Sequence, residues 1–111
     1  MCSYQTLFHD DNTGYVVRCK ECEKIQLGFG NLMLTVSEDE FNSFHCRIKK
    51  IMSEQSPDQK ETVRFIVIPT LCEGMKLLLS LRELREFDYM LEEADTELKS
   101  SCLIGLFNQQ V

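Results

Sequence analysis

Two cysteines three residues apart, Cys19 and Cys22, are the residues of this chain best spaced to do chemistry. A C-x-x-C pair between two strands makes a tight knuckle whose sulfurs point to one spot, and thiolates so placed are favourable ligands for Zn²⁺. A closed zinc site needs four ligands, and Cys2 is a candidate third. If the opening hairpin folds about Asp11 and Asn12, facing residues have numbers that sum to about 23, which sets Cys2 opposite Glu21 in the middle of the knuckle. Neighbouring strands lie ~4.8 Å apart, within ligand reach. Cys2, Cys19 and Cys22 are therefore the candidate metal ligands and zinc the candidate cofactor. The fourth ligand stays open among Cys102, His45, water and a partner's side chain. The plainer alternative is a pair of reduced cysteines at a strand turn. Glu21 and Glu23 stand where many knuckles carry Gly or Pro; they attract a cation yet raise the pKa of a thiol. Thioredoxin-like redox chemistry is disfavoured, because it places its first cysteine at a helix N-terminus, whereas strands flank this motif.

The other groups of this kind carry less. His9 falls near Gly14 in the same hairpin, roughly 13 Å from the knuckle at ~3.3 Å per residue, and reads as a turn or surface histidine. His45 flanks the apolar stripe of a helix and reads as a core-edge histidine, while Cys46 projects away from that stripe to solvent. Cys72 and Cys102 sit in apolar runs and read as buried small hydrophobes. Gly28-Phe29-Gly30 opens no helix and is a turn, not a phosphate loop. The carboxylates Glu38-Asp39-Glu40 belong to a helix start, and Glu92-Glu93 with Asp95 to a solvated helix face. Neither run shows the paired, partly buried placement that general acid–base work needs. Arg47, Lys49 and Lys50 form a small basic patch that balances the acidic first turn of their own helix.

The elements that must position these groups follow from pattern. Tyr4 to Phe8 and Tyr15 to Cys19 read as strands joined by the turn formers Asp10 to Gly14. Lys24 to Phe29 and Leu32 to Val36 form a second hairpin about Gly30-Asn31. Pairing Phe29 with Leu32 also pairs Leu27 with Leu34 and Ile25 with Val36, so all six apolar residues share one face. Ser37-Glu38-Asp39-Glu40 is a capping box opening a helix to about Met52, with Phe41, Phe44, Ile48 and Ile51 on its apolar stripe. A polar loop around Pro57 follows and is the only candidate hinge. Thr62 to Ile68 and Met75 to Leu79 read as strands. Ser80 to Glu83 is a second capping box, opening a helix with Leu84, Phe87, Leu91, Ala94 and Leu98 inward and an end near Ser100. The apolar tail Leu103 to Phe107 reads as a short strand or a plug for a partner. The expected fold is α+β with the order ββββαββα, a mainly antiparallel sheet of about six strands with two helices on one face.

The chain has 111 residues, enough for a single domain over 1–111 with one modest core. Its formal net charge is −6, which argues against a nucleic-acid partner, and no apolar run is long enough for a membrane span. The start Met1-Cys2-Ser3-Tyr4-Gln5 has no basic or apolar leader pattern. A reducing cytoplasm is therefore expected, with thiols free or on metal.

Met1-Cys2, Gly14-Tyr15-Val16-Val17-Arg18-Cys19-Lys20-Glu21-Cys22 and Ile25-Gln26-Leu27-Gly28-Phe29-Gly30-Asn31 together resemble an uncharacterised family of small bacterial proteins. The resemblance covers most of the chain, is most specific in its first third, and implies a stand-alone domain without an assigned activity. The expected role is a non-enzymatic protein-interaction or regulatory module with a structural zinc site. Its expected partner is a protein or peptide, basic to suit the acidic surface, or a second copy joined through the apolar tail. The alternative is a small thiol- or metal-dependent enzyme using Cys19 and Cys22.

Overall fold

A computed structural model describes residues 3–56, 58 and 60–109. Strands β1 (Tyr4–Asp10), β2 (Gly14–Cys19), β3 (Ile25–Phe29) and β4 (Leu32–Val36) are followed by helix α1 (Glu38–Ser53), strands β5 (Ile66–Pro69) and β6 (Lys76–Leu79), and helix α2 (Leu81–Gln109). The fold is α+β in the expected order. The six strands divide between two antiparallel sheets, β1-β2-β3-β4 and β5-β6.

The second hairpin pairs as its alternation requires, with Phe29 against Leu32, Leu27 against Leu34 and Ile25 against Val36. In the first hairpin Tyr4 faces Cys19 and Gln5 faces Arg18, the register of the sum near 23. A bulge between Thr6 and Phe8 then shifts the register and leaves Leu7, the residue between them, buried in the core. Bulges re-aim side chains in this way. Gly14 has φ +152°, and a Cβ there would lie 2.0 Å from the Gly28 carbonyl oxygen. The close approach of β2 and β3 at that point therefore demands glycine. Gly28 in turn lies under its cross-strand neighbour Tyr15, whose hydroxyl donates to Gln26 Oε1 at 3.3 Å.

Both helices begin at capping boxes. Glu40 N–H donates to Ser37 Oγ (3.1 Å) and Ser37 N–H to Glu40 Oε1 (2.8 Å); Glu83 and Ser80 repeat the arrangement at 3.1 and 3.0 Å. The core joins Val16, Ile25, Leu27, Phe29 and Val36 of the larger sheet to Phe41, Phe44 and Ile48 of α1 and to Leu84, Phe87, Met90, Leu91, Ala94 and Leu98 of α2. Ile66, Ile68 and Leu79 close it from the smaller sheet. Phe87 is its centre, stacked on Phe29 at 4.6 Å and 10° and tilted against Phe44 at 5.7 Å.

Two expectations about elements are corrected. Residues 62–65 are not strand; β5 starts at Ile66. The tail is not a strand, because α2 runs on through Ser100 to Gln109. No proline interrupts it, and the single Gly105 costs a helix interior only ~1 kcal/mol relative to alanine. Pro57, the expected hinge, lies outside the described residues.

Candidate functional site

The knuckle between β2 and β3 is held by its own backbone. Cys19 N–H donates to Lys24 O (2.8 Å) and Glu23 N–H to Cys19 O (3.0 Å). Cys22 N–H donates to Cys19 Sγ at 3.4 Å, and Glu21 Oε2 lies 3.6 Å from the same sulfur. Glu23 has φ +62°, a left-handed conformation that costs a residue with a Cβ about 1 kcal/mol or more. It takes the position where a glycine would turn without strain. Ser3 is clamped on the knuckle: its N–H donates to Glu21 Oε2 (2.8 Å), its hydroxyl to Glu21 Oε1 (2.7 Å), and its carbonyl accepts from Lys20 N–H (2.9 Å). These Ser3 donors hold the Glu21 carboxyl below its ordinary pKa. Arg18 ties the knuckle to the start of α1, with Nε 2.7 Å from Glu38 Oε1 and Nη2 3.5 Å from Glu23 Oε1.

Of the three expected ligands, Cys19 is buried and Cys22 exposed, and Cys2 lies outside the described residues. Among the described residues the knuckle does not gather three metal-binding atoms. Cys46 is exposed as expected, but Cys72 and Cys102 are exposed rather than buried. The chain turns as soon as Pro69 ends β5: Thr70 Oγ1 donates toward Met75 O (2.6 Å) and accepts from Cys72 N–H (3.2 Å), leaving Cys72 on the outside of the turn. Cys102 is exposed because α2 has by then outrun the core, whose last member on this helix is Leu98. His9 is a surface residue 3.6 Å from Asp11.

Sequence reasoning missed a second constellation where the helices cross. His45 of α1 meets Asp88 and Glu92 of α2, and one ligand atom from each lies within 4.8 Å of the others. The His45 side chain is 8% exposed, with Nε2 3.1 Å from Glu92 Oε1. Lys49 contacts Glu92 and lies 3.7 Å from Asp88 Oδ1, so it serves this cluster and not the acidic turn of its own helix. Glu92 and Asp88 raise the Lys49 pKa, and Lys49 lowers that of Glu92. The one available signal was spacing: His45 and Lys49, like Asp88 and Glu92, are four apart and share a helix face. Nothing in either helix alone says that the two faces meet.

The third feature is apolar. Of eleven exposed large hydrophobic residues among those described, six lie between positions 63 and 78: Val63, Phe65, Val67, Leu71, Met75 and Leu78. Val67 and Leu78 are cross-strand partners, 52% and 53% exposed, so they share the outer face of the β5–β6 hairpin while Ile66, Ile68 and Leu79 face the core. Among the described residues no helix is long and apolar enough to cross a membrane.

No curated protein matches the chain, and no solved structure matches it. A family model spans residues 1–105, nearly the whole length, in accord with the resemblance to an uncharacterised family. The chain belongs to the family of unknown function DUF6686.

Proposed function

We propose that this protein is a non-enzymatic interaction module whose docking surface is the outer face of the β5–β6 hairpin, and whose partner there is a second copy of the chain. The observation that carries the reading is the half-exposed cross-strand pair Val67 and Leu78, in a stretch that holds four more exposed apolar side chains. A two-stranded sheet is marginal alone and exposes unpaired edges, and contiguous apolar patches on a soluble protein mark contact sites. Charge favours a like partner. Residues 60–86 carry five basic side chains (Lys60, Arg64, Lys76, Arg82, Arg85) and four acidic ones (Glu61, Glu73, Glu83, Glu86), whereas the rest of the chain holds seven and fourteen. This stretch is where two copies repel least, and a self-complementary patch closes naturally as a twofold dimer.

The knuckle serves this reading as a structural staple. A backbone N–H aimed at Cys19 Sγ suits a thiolate that binds zinc, against the opposing charge of the Glu21 carboxylate 3.6 Å from the same sulfur, and Ser3, which follows Cys2 in sequence, is anchored on Glu21 beside it. Zinc held by Cys2, Cys19 and Cys22 plus one outside ligand would lock the N-terminal strand to the β2–β3 turn. The enzymatic alternative asks Cys19 and Cys22 to act on a substrate; Cys19 is only 1% exposed, which leaves Cys22 alone open to one.

Sedimentation velocity tests the docking surface. The wild type is expected to shift from monomer to dimer with concentration, and Val67→Lys with Leu78→Glu to remain monomeric with an unchanged melting temperature. Equal mass distributions for both proteins would sink the reading.

A further inference from the structure

We infer that His45, Asp88 and Glu92 form a binding site for a first-row divalent cation such as Mn²⁺, with Lys49 as a built-in competitor for the same position. The inference stands apart from the hairpin surface and from the cysteines.

One imidazole nitrogen and two carboxylate oxygens already converge from two helices, mutually within 4.8 Å. Two ligands at ~2.0–2.2 Å from one ion lie at most ~4.4 Å apart, so side-chain shifts of a few tenths of an ångström let one ion touch all three. Imidazole with carboxylates selects first-row divalent ions over soft, thiolate-loving ones. Burial adds a second observation. His45 Nε2 and Asp88 Oδ1 are both shut from solvent and neither has a hydrogen-bond partner. Nε2 lies 3.1 Å from Glu92 Oε1 and Asp88 Oδ1 lies 3.7 Å from the Lys49 ammonium, close approaches that leave neither atom with a hydrogen bond. Buried polar atoms left in this way cost free energy, and a cation between them would satisfy both at once.

Lys49 fits the same logic. Its ammonium contacts Glu92 and approaches Asp88, standing as a positive charge where the ion would sit. The side chain is 48% exposed, so it is free to swing into water when a stronger cation arrives. Asn42, Cys46 and Asp95 line the open groove beside it, the path an ion would take.

Chelator-stripped full-length protein is titrated with Mn²⁺ alone, and the loss of the free-ion electron paramagnetic resonance signal is read. Mn²⁺ is a hard ion that leaves thiolates to zinc, so the knuckle does not contribute. The expected result is one Mn²⁺ per chain. Lys49→Met should bind at least about tenfold tighter, because a unit positive charge no longer stands near the ion. His45→Gln and Glu92→Gln should each bind about 100-fold weaker or worse, a ligand counting for at least as much as the outer-shell partners that orient one. Glu92 is partly exposed, so its variant folds even if replacing buried His45 disturbs the helices; circular dichroism confirms this. No uptake by either wild type or Lys49→Met overturns the inference. So does uptake that Glu92→Gln leaves unchanged, or a Lys49→Met variant that binds no more tightly than wild type.

Discussion

Replacing Glu83 separates two tasks that one carboxylate performs at the start of α2. Its oxygens accept from Ser80 N–H at 3.0 Å, which closes the capping box, and from Arg64 Nε and Nη2 at 2.9 Å each, which pins the approach to β5. Losing a cap interaction costs ~1 kcal/mol, and alanine returns a few tenths through helix propensity. Glu83→Ala also frees the paired guanidinium, an exposed contact that adds a modest further share. The net loss should be about 1–2 kcal/mol, or roughly 4–8 °C in melting temperature at ~4 °C per kcal/mol for a domain of this size. Glu83→Gln is the informative partner, because an amide oxygen still accepts from Ser80 while the charge on Arg64 is unanswered; it should cost less. Glu40→Ala removes a box with no arginine attached and should also cost less than Glu83→Ala. The pH dependence has a definite sign. Arg64 first, and Ser80 after it, hold the Glu83 carboxyl below its ordinary value. Its contribution is therefore fully present above the ordinary glutamate range and is lost as pH falls through the depressed value. Urea denaturation followed by circular dichroism, at neutral pH and again at acidic pH, measures all of this. A Glu83→Ala variant as stable as Glu40→Ala, or a difference between Glu83→Ala and wild type that is undiminished in acid, would refute the reasoning.

Three further outcomes are expected. Gly14→Ala should cost at least ~2 kcal/mol, since the new Cβ meets the Gly28 carbonyl in a left-handed backbone; a loss below ~0.5 kcal/mol in urea would contradict the close approach. Phe87→Ala should cost ~3–5 kcal/mol, because it empties the space between Phe29 and Phe44; calorimetry showing a change near zero would place the core elsewhere. Cys19→Ser should abolish bound zinc and loosen the N-terminal hairpins, whereas His9→Ala should spare both. Elemental analysis showing equal zinc in wild type and Cys19→Ser would reject the proposed ligands.

What could be read from the sequence was local. The β3–β4 register follows from Gly30-Asn31 and six apolar residues that must share a face, and both capping boxes from Ser and Glu at fixed spacing. The C-x-x-C knuckle was legible for the same reason. The features that were not legible depend on which elements meet. The bulge at Leu7 is set by packing under α2, not by the hairpin's own alternation. The strands divide into two sheets because β5 and β6 pack their buried residues on the shared core without pairing to β4. Cys72 and Cys102 have apolar neighbours in sequence, but one sits on a turn and the other beyond the edge of the core. The His45–Asp88–Glu92 cluster exists only because two helix faces, each ordinary alone, are brought together.

The most direct test of the proposed docking surface is a concentration series of methyl nuclear magnetic resonance spectra. Raising protein concentration is expected to shift or broaden the Val63, Val67, Leu71 and Leu78 signals, while Met33 on the exposed β4 edge stays still. Unchanged methyls on the hairpin, or changes confined to Leu103 and Ile104 on the far end of α2, would contradict the proposed surface.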